Sequence, residues 1–214
     1  LPAHYEFSPA IVAQAIGARL LKFDLPPEVR AGIEARLAFI EARARAAAKP
    51  RVVAERKPWF CSGCPHNTST RLPEGSRGLA GIGCHTMAML RDPMKTNSVS
   101  HMGGEGAMWL GQFPFTDEPH VFANMGDGTY FHSGMMAIRA AVAAKATMTY
   151  KLLHNGFVSM TGGQAHDGEV SPEQMVAQLT AEGVKRIALV SDEPEKFAGK
   201  NLGPFVAIHP RTEL

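Results

Sequence analysis

The pattern of apolar and polar positions divides the chain into a helical front and an alternating remainder. Over 11–20, Ile11, Val12, Ala15, Ile16 and Leu20 share one helical face. Ser8 supplies an N-cap and Pro9 the first helical position. A second helix restarts at Pro26-Pro27, with Val29, Ile33, Leu37 and Ile40 as its stripe and Glu and Arg opposite. The Ala-rich run 42–48 extends it. Residues 1–50 are thus expected to form a helical connector segment and 51–58 a linker. From Trp59 the pattern changes to short apolar runs separated by helical periods. Strands are expected at 79–83, 121–125, 147–153, 186–190 and 205–208. Helices are expected at 85–92, 131–145 and 172–182, the last opened by a capping box of Ser171 and Gln174. This alternation predicts an α/β domain over 59–214 with a doubly wound, mostly parallel sheet.

Composition narrows the function classes without choosing among them. The 214 residues are 45% hydrophobic and 20% charged, ordinary for one soluble core with a small appended unit. A net charge of +2 with scattered Lys and Arg gives no sign of nucleic-acid binding. No apolar run reaches membrane-span length and no signal peptide is visible, so a cytoplasmic location is expected. Three cysteines, two of them in C-x-x-C, suit a reducing compartment and a metal, cluster or thiol role. The start at Leu rather than Met suggests a piece of a longer polypeptide.

Chemistry concentrates between residues 124 and 164. The segment opens N-M-G-D-G-T-Y, passes through a helical stretch and ends L-L-H-N-G-F-V-S-M-T-G-G-Q. A strand–helix–strand unit in a parallel sheet brings Asp127 and Asn155 to the same edge. One carboxylate and one amide oxygen make a hard oxygen site suited to Mg²⁺, which fills its shell with waters and phosphate oxygens. Gly126 and Gly128 let the backbone approach a diphosphate, and the helix start after Gly128 offers N–H groups to it. The plainer reading of Asp127 is an Asp-Gly turn; the spacing to Asn155 favours the ligand. Cys61, Cys64 and Cys84 could share an iron–sulfur cluster, bind zinc with His66 or His85, act as a redox pair, or remain unlinked thiols. Most of the eleven methionines are expected to fill the core.

G-D-G, a gap of 26 residues and then Asn is similar to the thiamine diphosphate fingerprint. Together with C-S-G-C-P-H (61–66), G-I-G-C-H (81–85), H-M-G-G-E-G (101–106) and M-T-G-G-Q, it resembles the thiamine-diphosphate-binding region of 2-oxoacid:ferredoxin oxidoreductases, above all the long fused indolepyruvate type. The resemblance is strongest over 56–195. It implies the thiamine diphosphate-binding fold, with Mg²⁺ held by Asp127, Asn155 and the Phe157 carbonyl. It places Gly126, Gly128, Thr129, His101, Gly103, Gly104, Thr161, Gly162, Gly163 and Gln164 around the cofactor. Cys61, Cys64 and Cys84 then become ligands of a 4Fe–4S cluster whose fourth cysteine lies outside this chain. The implied activity is oxidative decarboxylation of a 2-oxoacid to an acyl-CoA with electrons passed to ferredoxin. The implied partners are the 2-oxoacid, coenzyme A, ferredoxin, the remaining domains of the enzyme and a second copy of the chain. Met160 stands where pyruvate-specific members carry Asn, which suits an aryl side arm. Glu105 is not expected to be the acid that activates the aminopyrimidine, since members of the family draw that Glu from another segment. The chain alone is therefore expected to be inactive. Two alternatives remain open: a non-oxidative thiamine diphosphate decarboxylase or synthase, and a non-catalytic α/β domain with a structural metal site. His132, His154 and His166 are expected to be structural or solvent-facing.

Overall fold

A computed structural model describes residues 7–48, 56–91 and 95–214. The chain falls into two compact units, Leu1–Arg56 and Lys57–Leu214. The first is a helical hairpin of α1 (Pro9–Leu20) and α2 (Pro27–Ala48). Ser8 Oγ accepts the Ile11 N–H at 3.3 Å, the expected cap. The Arg30 guanidinium donates to the carbonyls of Leu21 and Phe23, which the end of α1 leaves without helical partners. Gly17 lets the helices approach, since a Cβ there would lie 2.9 Å from Leu37 Cδ2. The linker expected over 51–58 lies, up to residue 55, outside the described residues.

The second unit is built on a parallel sheet of β1 (Arg77–Ala80), β2 (Thr96–Val99), β3 (Val121–Gly126) and β4 (Met148–Leu153), in the order β2-β1-β3-β4. Along β3 the side chains alternate between faces. Val121, Ala123 and Met125 are wholly buried on one face. There they meet Trp109 of α5 (Ala107–Gln112), Ile138 of α7 (Met135–Ala143) and Met175 and Leu179 of α8 (Pro172–Ala181). On the other face Asn124 stands in register with Lys151. Lys151 Nζ lies 5.0 Å from the Phe122 ring centroid and donates to the carbonyls of Ser69 and Arg71. These carbonyls lie at and just past the end of the short helix α3 (His66–Ser69), so Lys151 ties the cysteine-bearing segment to the sheet. Both faces are therefore covered, and the doubly wound α/β architecture is as expected.

Four details depart from expectation. The strand expected at 79–83 occupies Arg77–Ala80 instead; Gly81–Gly83 bends away, Cys84 opens a 3-10 turn, and α4 (Ala88–Arg91) follows. The helix expected at 131–145 starts directly at Asp127. It runs as α6 (Asp127–Thr129), a π turn over Tyr130–Gly134, and then α7. The segment after Asn155 folds back as a small antiparallel hairpin, β5 (Phe157–Val158) and β6 (Gln164–Ala165). The last two strands, β7 (Ile187–Ser191) and β8 (Val206–Pro210), pair in parallel as their own two-stranded sheet.

Candidate functional site

In an open α/β sheet, ligands bind outside the carboxyl ends of the strands where the chain order reverses direction. Here that point lies between β1 and β3. β3 ends in Gly126 and delivers Asp127, 6% exposed, to this edge; β4 delivers Asn155 beside it. Asp127 Oδ2 accepts the backbone N–H groups of Asn155 and Gly156, both at 2.7 Å, and Oδ1 accepts the Gly128 N–H at 2.9 Å. The two strand ends are thus held together by one carboxylate. Asn155 Oδ1 accepts the Phe157 N–H at 2.9 Å in an Asx turn, and its Nδ2 donates to Ser159 Oγ at 2.8 Å.

His166 completes this edge. Its side chain is 6% exposed and its Nε2 lies 3.5 Å from Asp127 Oδ1, so it is not solvent-facing. Nothing local in the sequence marks it, because its burial depends on the hairpin folding back over Asp127. Thr161 and Gln164 close that hairpin on each other, with Thr161 Oγ1 donating to Gln164 Oε1 at 2.6 Å and Gln164 Nε2 to the Thr161 carbonyl at 2.9 Å. Both stay exposed, as do Gly162 and Gly163. The loop of His101, Gly103 and Gly104 packs closely on Ser133 of the π turn, where a Gly103 side chain would clash. Glu105 in the same loop is buried, and its backbone carbonyl accepts the Tyr150 hydroxyl at 2.9 Å.

The oxygen donors are of the kind a magnesium–diphosphate group takes, although Asn155 Oδ1 already accepts the Phe157 N–H. The set is one carboxylate and one amide, and three backbone donors leave part of the acceptor capacity of Asp127 unused. The thiols are less gathered. Burial pushes the Cys84 thiol pKa up, and the charges of Cys64 and Cys61 add to the rise, so the three lie within electrostatic reach. Yet among the described residues no group of three or more His, Cys, Asp or Glu is close enough to hold a metal ion. His66 and His85 stand edge to face between the cysteine loop and the sheet edge, with ring centroids 5.9 Å apart. Burial, then the charge of His66, lowers the His85 pKa to about 4, against an opposing pull from Asp127.

The fold, its switch point and the acid at the end of β3 are in keeping with a thiamine diphosphate-binding domain. The profile described as "Thiamine pyrophosphate enzyme, C-terminal TPP binding domain" matches residues 81–197, and the chain belongs to that family. It is 29% identical over 179 residues to the indolepyruvate oxidoreductase subunit IorA of Methanothermobacter marburgensis, covering 78% of this chain and 26% of the relative. The corresponding subunit of Thermococcus kodakarensis is 25% identical over 174 residues, covering 72% and 27%. The chain thus spans about a quarter of the length of these curated relatives. Among solved structures it is similar to the 2-oxoglutarate:ferredoxin oxidoreductase from Magnetococcus marinus, with TM-score 0.50 and 20% identity over 73% of this chain and 64% of that one. The resemblance read from the motifs is borne out by these findings.

Proposed function

We propose that the α/β domain over 59–214 holds Mg²⁺ and thiamine diphosphate at the ends of β3 and β4, and serves oxidative decarboxylation of a 2-oxoacid. The observation that carries this reading is the Asp127 carboxylate accepting the N–H groups of Asn155 and Gly156 where the carboxyl ends of β3 and β4 adjoin. Bound thiamine diphosphate supplies the carbanion that attacks the keto carbon and the electron sink for loss of CO₂. The protein holds and orients it. Asp127, Asn155 and the Phe157 carbonyl take the metal, and Gly126, Gly128 and Thr129 bring backbone close to the phosphates. Thr161 to Gln164, His101, Gly103 and Gly104 flank the reacting end. Met160, half-exposed beside them, suits an aryl pyruvate, in keeping with relatives named for indolepyruvate. Residues 1–50 act as a helical connector. The domain works in the cytoplasm with further domains of the same enzyme and as a homodimer, passing electrons to ferredoxin and the acyl group to coenzyme A.

Calorimetric titration with thiamine diphosphate and Mg²⁺ tests the core of this reading. Saturable, Mg²⁺-dependent binding is expected for the wild type and not for Asp127→Ala. A wild type that binds nothing overturns it. That no group of three or more His, Cys, Asp or Glu among the described residues could hold a metal ion favours examining a second reading, a non-oxidative thiamine diphosphate decarboxylase or synthase. We assign Cys61, Cys64 and Cys84 to a 4Fe–4S cluster completed by a ligand from outside the chain. Iron content and broad visible absorbance of anaerobically purified protein decide between the two.

A further inference from the structure

Three side chains at the switch point are buried, each with one polar atom lacking a partner. His85 is 3% exposed, Glu105 1% and Asn124 2%. The atoms are His85 Nε2, Glu105 Oε1 and Asn124 Oδ1. They belong to the turn after β1, the glycine loop and β3, and all three residues border Gly81. A Cβ on Gly81 would lie 2.7 Å from His85 Nε2 and 2.9 Å from Glu105 Cγ, and would press on the Asn124 carbonyl. Gly83 and Gly126 flank the same imidazole: a Cβ on either would lie 2.8 Å and 3.5 Å, respectively, from His85 Cε1. Gly81 and Gly83 clear space for this ring, and Gly126 adjoins it.

An unpartnered carboxylate oxygen in a dry interior is strongly unfavourable, and native proteins satisfy such groups or hydrate them. A carboxylate oxygen and an amide oxygen only accept, whereas a neutral imidazole nitrogen does either. Two acceptors and one adaptable nitrogen match the hydrogens and lone pairs of a single water, which needs two to four polar partners to be held. We propose that His85, Glu105 and Asn124 enclose one resident water that donates to Glu105 Oε1 and Asn124 Oδ1 and accepts from His85 Nε2–H. This donor count fixes His85 as the Nε2–H tautomer. Glu105 Oε2 already accepts the Gly103 N–H at 2.7 Å, so Glu105 is a positioning residue with a face to each side. Through the water it holds the His85 ring, and with it the segment that begins at Cys84, against the glycine loop. The site does not depend on thiamine diphosphate.

The test uses the whole protein without added cofactor: a crystal structure resolving ordered waters, a rubidium soak, and ¹⁵N spectra of the histidine rings. One water within hydrogen-bond distance of all three atoms is expected, with no rubidium signal and an Nε2–H ring for His85. Glu105→Gln sharpens the test. The Gly103 N–H keeps the glutamine oxygen, so the amide NH₂ turns to the water. The water then has a hydrogen free for His85 Nε2, and the ring switches to Nδ1–H. An empty site, a rubidium peak, a direct His85–Glu105 hydrogen bond, or Nδ1–H in the wild type overturns the proposal. So does an unchanged tautomer in a folded Glu105→Gln variant. Should that variant not fold, the wild-type crystal and spectra decide alone.

Discussion

Asp127 accepts three backbone N–H groups while nearly fully buried. Hydrogen bonds to a charged group contribute about 1.5–3 kcal/mol each, and stranded donors add their own desolvation. Asp127→Ala is therefore expected to lower stability by at least about 3 kcal/mol in urea unfolding. Asp127→Asn keeps an oxygen for Asn155 and Gly156 and loses only the Gly128 bond, so its loss is smaller. The two variants separate the structural role of the carboxylate from any metal role, since both remove the charge. Gly81 offers a second measurement at this scale. A methyl there meets the Asn124 carbonyl, a backbone atom that cannot turn aside. Gly81→Ala is expected to cost about 1–3 kcal/mol by overpacking, read by the same unfolding curve.

At the scale of elements, Lys151 joins β4 to the end of α3. Burial, then the charge of Arg91, lowers its pKa from 10.5 to about 8. Between those values the unfolded chain binds more protons than the folded one, so this group makes stability rise with pH across that window. Below it the unfavourable burial of the charge is felt in full. Lys151→Met should flatten the rise when urea midpoints are compared from pH 8 upward. The cap of α8 gives a simpler expectation. Ser171 Oγ accepts the Gln174 N–H at 3.2 Å, and Ser171→Ala should lower stability by about 1 kcal/mol, or about 2–4 °C in Tm. This cap was legible in the sequence because its partners lie three residues apart, and the same holds for Ser8. β3 and β4 were legible as apolar runs. β2 was not, because Thr96-Asn97-Ser98-Val99 is a largely polar edge strand that gains its conformation from pairing with β1. β5 and β6 have two residues each, too few to show a period. Of the candidate site, Asp127 and Asn155 announced themselves by spacing. His166 did not, since only the folded hairpin sets it beside Asp127.

For the molecule as a whole, a ligand that binds only the folded state stabilises the entire cooperative unit. At about a hundred times its Kd, thiamine diphosphate with Mg²⁺ should add about 2.7 kcal/mol, a rise of roughly 5 °C or more in Tm. Chelation of the metal should reverse the rise, and Asp127→Ala should show none. The Lys151 clamp also has a consequence during synthesis. Its hydrogen bonds reach back 82 residues to Ser69 and 80 to Arg71. At ribosomal speeds of about 5–20 residues per second, the stretch holding Cys61 and Cys64 spends roughly 4–16 s on a nascent chain before its anchor exists. Throughout that interval its thiols meet whatever oxidant or iron carrier the surroundings supply, and Cys61 remains exposed once the anchor has formed.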